Sequence, residues 1–193
     1  MVRIRSLFVT SMVASIAIGG CSESTGGPAE MGEMKAPPRP AELDMLDMFV
    51  GNWTTEGEMK MPGEPEVMIS TGTISYEWTL DKKYLVEKWS MKMDEMEMEA
   101  SGYWTWDAKA GKYKIWWFDS FGTWATGSSS YDATTKTWSM NSKGTNPMDG
   151  KPSWGGGSVK FPDANTMEGT WTEWDNVLKW GDAMEMTFKS TRK

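Results

Sequence analysis

The stretch LVEKWSMKMDEMEMEASGYW, residues 85–104, decides how the chain reads, because it alternates with period two on both sides of an Asp-Glu pair. If Asp94 and Glu95 make a two-residue hairpin turn, residues whose numbers sum to 189 face one another across two antiparallel strands. Met93 then faces Met96, Met91 faces Met98, Trp89 faces Ala100 and Leu85 faces Trp104, all on one side of the sheet. The other side receives Lys92 against Glu97 and Ser90 against Glu99. Thioethers and indoles take one face and charges the other, the pattern of a strand pair with one face buried.

The same period runs from Gly51 to the end of the chain, giving ten strand candidates between Asn52 and Thr191. Turn signals separate them: Pro62-Gly63, Asp81-Lys82, Asp107 to Gly111, Asp132 to Thr135 and Pro162 to Asn165. WDAKAGKY (106–113) and YDATTKTW (131–138) read as one hairpin type used twice. Gly155-Gly156-Gly157 lacks the lysine and helix of a phosphate loop and reads as a flexible mouth loop, followed by a strand over Gly157–Phe161. Before the strands, Leu43, Leu46, Phe49 and Val50 predict one short amphipathic helix over Ala41–Val50. With no helical pattern between the strands, they pair with their sequence neighbours as a meander, and closure removes the exposed edges. The expected fold is all-β: an antiparallel up-and-down barrel of eight to ten strands with a short N-terminal helix.

The N-terminus sets a compartment. Arg3 and Arg5 precede an apolar run, Leu7 to Ile18, that is short for a membrane span, and Ile18-Gly19-Gly20-Cys21 follows. This resembles a bacterial lipoprotein signal, which implies cleavage before Cys21 and acylation of that cysteine as the membrane anchor. The expected domains are a signal peptide over 1–20, a flexible tether over 21–40 rich in Gly, Pro and Ser, and a barrel over 41–193. Ser22 after the cysteine places the expected site at the outer membrane, facing the periplasm, by analogy with known lipoproteins.

Cys21 is the only cysteine, so no internal disulfide is available and stability must come from a core. Loss of residues 1–20 removes two arginines and no acid, leaving 18 basic against 27 acidic residues, a net charge of −9. Such a chain, without a basic cluster, excludes nucleic acid as a partner and does not suit anionic headgroups. Histidine is absent, which removes the commonest general base and metal ligand. No G-x-S-x-G occurs and no thiol is left free, so no enzymatic activity is expected.

Phe49-Val50-Gly51-Asn52-Trp53 carries the short helix and Gly-x-Trp opening of lipocalins, fatty-acid-binding proteins and other calycins. LDMFVGNWTTEGEM, STGTISYEWTLDKKYLVEKW and GYWTWDAKAGKYKIWWFDSFGT, in that order, resemble the bacterial domain-of-unknown-function family 1579, over Leu43 to about Arg192. The resemblance implies a calycin-like barrel without an established activity. Nitrobindin-like haem barrels share the shape but hold iron through a histidine, so no cofactor is carried over.

Inward faces carry methionine and tryptophan where Leu, Ile and Val are usual: Met68, Ile74, Tyr76, Trp78 and Leu80 on one strand, Met184, Met186 and Phe188 on another, Met59 and Met61 on a third. Methionine adapts to irregular shapes and tryptophan offers flat walls. Three readings remain open. The side chains fill the core of a structural envelope protein; or they line a cavity for a small hydrophobic or planar molecule; or Met91, Met93, Met96 and Met98 hold Cu(I) or Ag(I) through sulfur. The cavity reading names Trp53, Trp78, Trp89, Met91, Met93, Met96, Met98, Trp104 and Trp117 as lining, with Glu87 and Asp119 as polar anchors. Both carboxylates have inward parity and need a partner or a raised pKa there, unless local bulges turn them outward or they bond backbone amides.

Overall fold

The computed structural model describes residues 36–145, 150–175 and 183–193. The expected signal, Cys21 and nearly all of the tether lie outside them. Within the described residues, Pro38–Lys193 is a unit with its own core.

Ten strands form a closed antiparallel barrel: β1 (Gly51–Lys60), β2 (Val67–Thr79), β3 (Tyr84–Met93), β4 (Met96–Asp107), β5 (Lys112–Asp119), β6 (Trp124–Asp132), β7 (Thr137–Thr145), β8 (Pro152–Asp163), β9 (Thr166–Asp175) and β10 (Met184–Arg192). Each pairs with its sequence neighbours and β10 closes on β1, so the expected meander and closure both hold. The β3–β4 hairpin has the register read from its sequence, with Met93 opposite Met96, Met91 opposite Met98 and Leu85 opposite Trp104. Asp94 takes the positive φ that the tight turn requires.

One expectation fails in β8. The glycine run is strand rather than mouth loop, and β8 begins at Pro152. The reason is the indole of Trp171 on β9: a Cβ on Gly155 would lie 2.3 Å from its Cζ2, and one on Gly157 would lie 2.9 Å from its Cε3. Glycines here let the ring lie flat against the neighbouring backbone, so the run is a packing device.

Ala41–Met48 is a 3-10 helix. Its three residues per turn stack Leu43 and Leu46, and Phe49 continues the spacing. All three are buried, and together they plug one end of the barrel. Phe49 meets Tyr76, Trp104, Trp138 and Phe161 at ring separations of 5.3, 5.6, 5.2 and 5.0 Å. Tilted and edge-on contacts of this kind add about 0.5–1.5 kcal/mol each to area burial. Tyr113 donates its hydroxyl to the Glu42 carbonyl at 2.7 Å, and burial, with the Glu42 charge second, pushes its pKa up to about 12. At the same end, Asp107, Asp132 and Asp163 accept amide hydrogens two residues on, at 3.0, 2.8 and 2.7 Å. The two similar hairpins are thus both held by an Asx turn.

Candidate functional site

Exposure of the inward side chains changes along the barrel axis. Near the plug, Trp53, Ile74, Leu85, Trp104, Trp138 and Met167 are 0–3% exposed. Toward the other end, the inward-facing Met59, Met68, Trp89, Met98, Trp117, Trp171, Met186 and Phe188 are only partly buried although the sheet surrounds them. Solvent therefore reaches part of the inward face at that end, beside Met91 and Met93, which are buried.

At the boundary between the two zones lies Glu87, 3% exposed and the one buried carboxyl among the described residues. Its Oε1 accepts the indole N–H of Trp104 at 2.9 Å and its Oε2 that of Trp89 at 3.2 Å, while the Tyr76 hydroxyl, on the paired strand, donates to the same carboxyl. Burial pushes the Glu87 pKa above its ordinary 4.5, against the three donors, which pull it down. Burial, and then the Glu87 charge beside it, pushes the Tyr76 phenol well above 10.0. Across the β3–β4 pair, Gly102 makes the room: a Cβ there would lie 2.1 Å from Glu87 Oε1.

The expected lining residues separate by depth. Trp89 stands over Glu87 and meets Trp117 and Phe188 edge-on at 5.8 and 6.0 Å. Met91 and Met93 are 4% and 3% exposed, Met98 is partly buried, and Met96 at the hairpin tip is 45% exposed. The four thioethers thus do not share a single solvent-facing point. Trp53 and Trp104 belong to the sealed base, with the Trp53 indole N–H donating to the Phe49 carbonyl at 2.8 Å. Trp78 reaches the plug instead, bonding Asp47 Oδ1 at 2.7 Å beneath the Arg39 guanidinium.

Asp119 is engaged by its own loop. It accepts the amides of Phe121 and Thr123 at 3.1 and 3.0 Å and the Trp117 indole N–H at 3.2 Å. The sequence reading left Tyr76, Gly102 and Phe188 out of the site. The pairing sum of 189 already set Glu87 opposite Gly102, and the β2–β3 turn sets it opposite Tyr76.

Outside the barrel, a groove of about 860 Å³ crosses the outer face of β1–β5, lined by hydroxyl and charged side chains that include Ser75, Lys88, Ser90, Glu99 and Ser101. Trp53, Trp89 and Asp119 contribute to its floor.

The barrel is similar to two solved structures. Over 81% of this chain and 99% of the other, it matches Rv2717c from M. tuberculosis with a TM-score of 0.63 at 12% identity. It matches the S-type phycobiliprotein lyase CPES from Guillardia theta over 80% of this chain and 94% of the other, with a TM-score of 0.57 at 10% identity. At such identities the likeness is one of fold. No curated protein sequence matches the chain. The family described as "Protein of unknown function (DUF1579)" matches residues 39–190, the plug helix and all but the end of the last strand, and the chain belongs to that family.

Proposed function

We propose that the barrel is a carrier that holds a small hydrophobic or planar molecule in its upper lumen. Trp89, Trp117 and Phe188 are the flat walls, Met91, Met93 and Met98 the conforming surface, and Glu87 the polar contact at the base. The carrier is anchored in the bacterial envelope through acylated Cys21, at the outer membrane on its periplasmic side. The observation that carries the binding reading is the set of inward apolar side chains away from the plug, Trp89, Met98, Trp117, Trp171, Met186 and Phe188, that stay partly exposed although the sheet surrounds them. The lipocalin-like fold supports it, since such barrels enclose guests when their interiors are not filled. Binding is favoured over catalysis because Glu87 has three neutral donors around it and no second acid among the groups that set its pKa.

Native mass spectrometry of Pro38–Lys193, purified without detergent from an envelope extract of the producing bacterium, tests the carrier. A mass increment of a few hundred daltons, lost on denaturation, is the expected result. A bare mass, with no increment after incubation with the extract's lipid fraction, assigns the methionines and indoles to packing. Radiolabelled palmitate incorporated by the full chain and not by Cys21→Ser tests the anchor.

A further inference from the structure

Among the described residues, twelve large apolar side chains are exposed, and nine of them lie at the mouth of the barrel or within its last three residue rows. Ile69 on β2, Met96 on β4, Phe121 in the β5–β6 loop, Trp124 on β6, Trp154 on β8 and Trp174 on β9 are 38–55% exposed. They are spread around the circumference instead of gathering on one side. The plug end shows only Met45 and Leu80, among Asp-capped polar turns. We propose that this rim docks the mouth of the barrel onto a zwitterionic phospholipid surface.

Exposed apolar side chains around the whole of one end suit a flat surface that covers that end. Tryptophan makes up half of the named ring, and it prefers the boundary between acyl chains and headgroups, where its ring is apolar and its N–H stays wet. Below the rim, the outer wall turns polar, with Thr54, Glu56, Thr73, Lys88 and Glu99 exposed. The barrel therefore dips its edge and does not sink.

Charge selects the headgroup. Among the described residues, the mouth turns carry Glu64, Glu66, Asp94 and Glu95 against Lys151, with Lys60 and Lys92 at the adjoining strand ends, and the whole chain is at −7, so an anionic surface gains little from this end. Chain length permits the contact. Cys21 lies 17 residues before Pro38. At full extension such a segment spans about 60 Å. A ten-residue strand such as β1 is about 33 Å long. A chain anchored at Cys21 can thus present its mouth to the membrane that holds it. In that pose an apolar guest passes between bilayer and lumen without crossing water.

The test uses Pro38–Lys193, which carries no lipid, with phosphatidylcholine vesicles and a variant bearing Phe121→Ser, Trp124→Ser and Trp174→Ser. All three positions are exposed, and circular dichroism checks that the variant folds. The expected result is co-flotation of the unaltered domain, insensitive to 0.5 M salt, with part of its tryptophan emission quenched by brominated acyl chains. The variant should bind roughly tenfold less or weaker still, since three large apolar side chains leave the contact. Absence of flotation, equal flotation of the variant, or a concentration-dependent dimer that the variant abolishes would each overturn the proposal, the last by making the rim an interface between copies. The carrier reading is judged separately, by the mass increment.

Discussion

The guanidinium of Arg192, the last residue of β10, lies over the indole of Trp53 at the start of β1, 4.1 Å from the ring. It donates to the carbonyls of Met48 at 2.8 Å, Ala164 at 3.0 Å and Val50. One side chain thus ties the closing strand to the plug helix and to the β8–β9 turn. Burial lowers the Arg192 pKa, yet a guanidinium stays charged at any working pH. Arg192→Ala removes three charge-assisted bonds and the ring contact, and should cost about 2–4 kcal/mol, read as a lower urea midpoint. Arg192→Lys should recover only part, because a single ammonium does not reproduce the guanidinium fork.

Glu87 gives the fold a pH dependence. Its folded pKa is raised above 4.5, so in the window above that value the folded chain keeps a proton that the unfolded chain has released. The Glu87 contribution to stability is therefore greatest below 4.5 and falls as pH rises through the folded pKa. Urea unfolding at intervals from about pH 4.5 to 8 should show a downward component that Glu87→Gln lacks. An unchanged slope in Glu87→Gln would mean that other groups set it.

Gly102 is required by the carboxyl opposite. A methyl group there would meet Glu87 Oε1 at 2.1 Å, well inside contact distance. Gly102→Ala should displace the carboxyl from the Trp104 indole and cost about 1–3 kcal/mol. The double variant Gly102→Ala/Glu87→Ala should be less destabilised than the sum of the two, which a double-mutant cycle in urea measures.

Trp89 meets Trp117 edge-on and donates to Glu87. Trp89→Leu should preserve the fold while lowering ligand occupancy in native mass spectra about tenfold, through the lost flat surface. Trp138→Leu, in the sealed base, should instead lower stability with little effect on occupancy, because its ring faces Phe49 and Tyr113.

Alternation carried the fold because the side-chain period of a strand is two wherever one face is buried, and the ten strands pair with their sequence neighbours as that reading expects. The spacing of Leu43, Leu46 and Phe49 likewise announced a helix, with its threefold repeat fitting the 3-10 form. Parity, however, gives the face and not the depth. It put Trp78 with the lining although the residue lies at the plug, and it could not separate buried Met93 from exposed Met96, its cross-strand partner. Gly155 to Gly157 misled because glycine serves both loops and close ring-to-backbone packing, and the ring in question, Trp171, comes from the next strand. The rim was hidden for a related reason. Ile69, Trp124 and Trp154 have outward parity, and only the closed barrel shows that they lie toward one end of it.

With one end plugged by Leu43, Leu46 and Phe49, a barrel that carries a guest as proposed would be a vessel and not a conduit. Such a vessel would load and unload by the same route, so a guest already inside would have to leave before another took its place. Raising the supply of guest would then quicken the filling of empty barrels and leave the emptying rate of full ones unchanged.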